Sequence, residues 1–133
     1  DTTGFSSQYG WVHAFAHGGD LLTEVICHPR FPKSDIAEAF EIIGKIFKRV
    51  EIRFTNDEDW RLARAFYEPI LRGKIEPSLF TAWLQTVEFP LKEANDFHKF
   101  SNFRSCLLEI YLQLDCHNLL QDDLKKIIQS FHY

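Results

Sequence analysis

The chain has 133 residues, 45% of them apolar and 26% charged, a length and balance that suit one domain with its own core. A formal net charge of −4 argues against a nucleic-acid surface, which needs a basic excess. No apolar run approaches the roughly 20 residues that span a bilayer, so no membrane segment is expected.

The opening "DTTGFSSQYG" is polar, unlike a signal peptide. It lacks an initiator methionine and begins close to a strong helix, so the chain reads as the C-terminal part of a longer protein. Three cysteines, Cys27, Cys106 and Cys116, form no CxxC pair. An odd count without that spacing points to free thiols in a reducing cytosol, not to a disulfide frame or a cysteine zinc site. Thirteen phenylalanines and no methionine predict a core of large, stiff rings.

Six helices and no strand are predicted. The first spans about 9–27 and is stopped by "HPRFP", where Pro29 and Pro32 cannot continue it. The second starts at Ser34 as N-cap, with Asp35 in its first turn. Ile36, Ala39, Phe40, Ile43, Ile46, Phe47 and Val50 form its apolar face, and Glu41 and Lys45 pair on the other side. The third follows Asn56 as cap, with Asp57, Glu58 and Asp59 favoured by the macrodipole. Pro69 should kink it or end it early, and Gly73 supplies the stop.

The fourth, about 77–89, has Pro77 in its first turn and Pro90 past its end. The fifth, about 96–114, turns Phe97, Phe100, Phe103, Leu107, Ile110, Tyr111 and Leu114 inward. The sixth, about 118–131, does the same with Leu120, Leu124, Ile127, Ile128 and Phe131. Six helices with short loops make three antiparallel pairs starting near residues 10, 57 and 97. Those intervals suit the roughly 40–47-residue period of HEAT-like repeats. The expectation is an all-α, HEAT-like stack of about three hairpins, with an irregular bundle as competitor.

The stretch "GWVHAFAHGGDLL" carries the densest chemistry. At about 100° per residue, His13, His17, Asp20, Glu24 and His28 fall on one narrow stripe. Ala14, Phe15, Leu21, Leu22, Val25 and Ile26 take the opposing arc. Gly18 and Gly19 lie on or beside that arc, and each costs about 1 kcal/mol relative to alanine. Such a pair is tolerable where a neighbouring helix must come close; alternatively the helix ends or bends at Gly18 and the later residues are differently phased.

The stripe admits three readings. His13 and His17, at i and i+4, can both turn a ring nitrogen to one divalent metal ion, with Asp20 as third ligand. The glutamate of HExxH is absent, since position 14 is alanine. Alternatively the histidines are structural, hydrogen-bonded to a neighbouring helix. In the third reading they line a groove for a ligand without metal. Arg61 and Arg64 share a face of the third helix. Asp57 is placed to pair with Arg61 at i+4. If instead an arginine faces the stripe, the two form a groove that holds an anion. Arg104 is placed either to pair with Asp20 or to line the same groove.

The motif "GWVHAFAHGGDLLTEVICHP" resembles the signature of a bacterial family known as DUF2785, a domain of unknown function. Gly10, Trp11, His13, Ala14, Ala16, His17, Asp20 and Leu22 match it, while Gly19 stands where alanine is common. "DEDWRLARAF" is similar to the family's third helix at Arg61 and Arg64. "NFRSCLLEIYLQL" is similar to its late helix at Asn102, Phe103, Arg104, Tyr111 and Leu114. The resemblance covers nearly the whole chain. It implies an all-helical, HEAT-like fold in a cytoplasmic bacterial protein and carries no catalytic role.

No G-x-S-x-G, P-loop or dinucleotide fingerprint is present. The leading expectation is therefore a binding or scaffold module that presents a polar groove to a protein or a small anionic ligand. The rival is a metal-dependent, hydrolase-like enzyme using His13, His17 and Asp20, with water activated on the open coordination positions. A third expectation is a purely structural segment of a larger helical protein.

Overall fold

A computed structural model describes residues 18–132. Among them lie six α-helices, a short 3-10 turn and no strand. Helix α1 covers 18–27, within which both glycines are helical. Then come α2 (Ile36–Arg49), α3 (Glu58–Leu71), α4 (Pro77–Leu84), α5 (Ala94–Cys116) and α6 (Asp122–Gln129). The predicted upstream part of α1, with His13 and His17, lies outside the described residues.

Helix α3 packs most extensively against α5, and α1 meets α3 at Gly19. Helix α4 packs between α2 and α6. Odd and even helices thus form two rows, tied together by contacts of α2 with α3 and α5 and of α5 with α6.

The core between the rows is aromatic, as thirteen phenylalanines foretold. Phe40, Phe66, Phe80 and Trp83 bring α2, α3 and α4 together, with Phe66 stacked on Trp83 at 5.1 Å and Phe40 edge-on to Phe80 at 5.8 Å. Phe103 of α5 extends the cluster to Phe47, Phe89 and Phe131. Offset and edge-to-face arrangements of this kind suit the ring quadrupoles. The predicted face of α2 is buried except Ile46, which is half-buried. Glu41 accepts the Trp83 indole N–H at 3.1 Å, so a long-range bond occupies the residue expected to pair with Lys45.

Helix ends explain most departures from the predicted boundaries. Ser34 sits inside the 3-10 turn Lys33–Asp35, and Asp35 takes the N-cap position of α2. At α3 the cap is Asp57, with a left-handed backbone (φ 63°), one residue after the expected Asn56. Glu58 reaches back instead, its Oε1 accepting from the backbone N–H groups of Thr55 and Asn56.

Pro69 does not stop α3. It is the third-last residue of the helix, and its carbonyl closes a Schellman cap by accepting from Lys74 N at 2.9 Å. Gly73 provides the left-handed residue at φ 76°. Asn118 repeats that device at φ 58°, with Leu119 N donating to Leu114 O at 2.8 Å. It therefore ends α5 and does not begin α6. Helix α5 starts early because the Asp96 carboxylate accepts from the backbone N–H groups of Lys92 and Glu93, which also holds that carboxyl below its usual range. Phe97, expected inside, is 44% exposed. Helix α4 ends at Leu84 and not near residue 89.

One buried polar side chain fixes the connector between α2 and α3. Asn102 of α5 is fully buried. Its Oδ1 accepts from Phe54 N at 2.9 Å and Arg53 Nη1 at 2.6 Å, and its Nδ2 donates to Ile52 O at 2.7 Å. Truncation would strand two backbone groups, each costing about 1–3 kcal/mol when unpaired. Asn102→Ala is expected to destabilise the fold by about 2 kcal/mol or more in urea unfolding. Ser105→Ala, which loses only the exposed bond from Arg53, should cost less than about 1 kcal/mol.

Candidate functional site

The close approach of α1 to α3 comes first, because it sets the register of every charge between them. A Cβ placed on Gly19 would lie 3.0 Å from Leu62 Cδ2, 3.2 Å from Leu62 Cα and 3.3 Å from Arg61 O. Only a residue without a side chain lets the backbones meet there. The inward face of α1 is then Gly19, Leu22, Thr23 and Ile26, with Thr23 Oγ1 donating back to Gly19 O at 2.8 Å. This corrects the predicted apolar arc: Leu21 is 67% exposed and Val25 also faces outward.

Next to that contact the acidic stripe of α1 meets a basic stripe of α3. Arg61 donates to Asp20 Oδ2 through Nη2 at 2.5 Å and Nε at 3.1 Å. Arg64 Nη1 reaches Asp20 Oδ1 at 3.5 Å. One carboxylate is thus held by two guanidiniums. All three side chains remain about one-third exposed, at 35% for Asp20, 32% for Arg61 and 35% for Arg64.

The pattern continues along the helix pair. Arg64 and Arg72 both approach Glu68, one turn away on either side, and Arg72 crosses to Glu24 of α1 at 3.3 Å. Three guanidiniums alternate with three carboxylates across the interface. The bond to Glu24 is the main reason the Arg72 guanidinium binds its proton more tightly than usual. Tyr67 borders this ladder. Burial, and then the Glu68 and Glu109 carboxylates, push its hydroxyl up, against the opposing effect of Arg64.

Lys74 fastens the far end of α1. Its ammonium donates to the carbonyls of Ile26 at 2.6 Å and His28 at 2.7 Å, where the helix dipole favours a cation. His28 itself lies beyond the helix, and its Nδ1 accepts from Arg30 N at 3.1 Å. It therefore leaves the stripe on which an unbroken helix would have placed it.

Of the six candidate residues, the structure brings together Asp20, Arg61 and Arg64. Arg104 does not join them: its Nε donates to Phe131 O at 2.8 Å, at the C-terminal end of the chain. The local Asp57 partner expected for Arg61 gives way to Asp20, 41 positions earlier. His13 and His17 lie outside the described residues, and among those described no group of three or more potential metal ligands occurs. Glu24, Glu68 and Arg72 complete the ladder. Glu24 was legible as part of the stripe, whereas the i,i+4 spacing of Arg64, Glu68 and Arg72 was the signal for the others.

The sequence model for the family described as "Protein of unknown function (DUF2785)" matches residues 1–112. The chain belongs to the DUF2785 family. No curated protein and no solved structure matches it. The match embraces α1 to α4 and most of α5, including the entire ion-pair ladder. Among the described residues of this DUF2785 chain, no helix is long and apolar enough to cross a membrane.

Half-exposed ion pairs contribute about 0.2–1 kcal/mol each and weaken in salt. A double-mutant cycle of Asp20→Asn and Arg61→Gln should give a coupling of about 0.5–1 kcal/mol in low salt, largely lost in 1 M NaCl. A zero coupling in low salt would show that the clasp does not persist in solution.

Proposed function

We propose that this chain is a HEAT-like helical-repeat binding module whose α1–α3 face receives an anion, either a small molecule or the acidic group of a protein. The carrying observation is that Arg61 and Arg64 converge on one carboxylate while keeping about a third of their surface open. A pair of guanidiniums that already holds Asp20 has the charge and donor set for a carboxylate or phosphate from outside.

The two-row packing supports the repeat reading. Odd helices follow one another along one side and even helices along the other, as stacked hairpins require. The three free cysteines fit a reducing cytoplasm.

Asp20 also ranks this reading above the metal-dependent one. Its two oxygens face guanidiniums. A metal ion bound to the same carboxylate would sit beside two fixed positive charges, which lowers its affinity.

Isothermal titration with inorganic phosphate and with an acidic peptide, at constant ionic strength, tests the proposal. The wild-type protein should bind at least one of the two, and Arg61→Gln/Arg64→Gln should weaken that binding tenfold or more. Retention of full affinity in the double variant, or absence of binding to either probe, would reject the reading.

A further inference from the structure

The geometry points to Asp20 as a tethered occupant of the anion site, a built-in competitor that an incoming anion must displace. This inference rests on the proposed anion-binding role of Arg61 and Arg64. Three observations carry it. The Asp20 carboxylate already occupies the space between the two guanidiniums: Arg61 donates twice to Oδ2, and Arg64 takes Oδ1. An anion bridging the same two arginines needs those same N–H groups.

The contact is also reachable. Asp20 is 35% exposed, so an anion approaches from solvent without opening the core. Finally, α1 does not depend on Asp20 alone. Gly19 stays seated on Leu62, Lys74 holds the Ile26 and His28 carbonyls, and Arg72 holds Glu24. Asp20 can therefore swing away while its helix remains attached, and the bound state differs from the empty one by a single exchanged carboxylate. Occupancy by the external anion is thereby coupled to release of the Asp20 carboxylate.

Inorganic phosphate at constant ionic strength is the probe, and three proteins are compared. Wild type is expected to bind phosphate weakly. Asp20→Asn, which keeps the side-chain shape and removes the competing charge, should bind it at least tenfold tighter. Glu24→Gln removes an equal charge one helical turn on, where the partner is Arg72, and should change the affinity less than about twofold. Carboxyl carbon NMR of the unaltered protein gives a measurement that no variant can spoil by misfolding: saturating phosphate should shift the Asp20 side-chain resonance and leave that of Glu24 nearly in place. Equal affinities for wild type and Asp20→Asn would overturn the displacement and leave the anion site intact. Equal gains in Asp20→Asn and Glu24→Gln would reduce the effect to general charge and overturn it too, as would an Asp20 carboxyl resonance that phosphate leaves unshifted. Absence of phosphate binding in all three proteins would remove both the displacement and phosphate as a ligand of the site.

Discussion

Two helices touch backbone to backbone only where one of them has no side chain to interpose, and in this chain that place is Gly19 against Leu62. The spacing fixed there governs the charges on either side of it. It brings Asp20 within reach of Arg61 and Arg64, and it sets Glu24 opposite Arg72 one turn later. A larger residue at position 19 would push α1 outward, and charge pairs that depend on contact distances would be the first to suffer. The glycine costs helix propensity, about 1 kcal/mol relative to alanine, and the close packing offsets it.

The ladder built on this contact is electrically balanced, with three guanidiniums against three carboxylates. Such a lattice adds little to stability, because each pair is partly exposed and screened. Its physical consequence is orientation. The guanidiniums of Arg61 and Arg64 are held in one geometry on a rigid helix, so the proposed anion would cost less conformational freedom on arrival. The aromatic core behind them, from Phe66 to Trp83, supplies the rigidity. Stability and the proposed recognition thus come from different layers of the same helix α3.

Much of the architecture was readable from apolar spacing. The order of the helices, the buried face of α2 and the ring-filled core all follow from residues recurring at three and four positions. Boundaries were harder where a residue's role depends on its backbone. Asn118 reads as a helix start, yet its left-handed conformation closes the end of α5. Pro69 reads as a breaker, yet so near the end of α3 its carbonyl serves the terminal cap. The site was half-legible for a related reason. The acidic positions of α1 and the arginines of α3 stand out on their own helices, but their pairing is non-local. A local rule offers Asp57 to Arg61, and the fold supplies Asp20 from 41 residues away. Arg104 was drawn toward the same group by its charge alone, and only the packed chain shows it bound to Phe131. Leu21 and Val25 mislead similarly, because a wheel cannot tell which part of the apolar arc a glycine contact will turn inward.

Comparing the two neighbouring glycines tests the seating of α1 most directly. A Cβ on Gly18 meets nothing within 4 Å, whereas one on Gly19 presses on Leu62 and the Arg61 carbonyl. Gly18→Ala should therefore raise the unfolding free energy by up to about 1 kcal/mol through helix propensity alone. Gly19→Val should lower it by about 1–3 kcal/mol, as overpacking does. If valine at position 19 proves as stable as the parent protein, α1 is not seated against α3 as described, and the alignment of its charges with Arg61 and Arg64 loses its foundation.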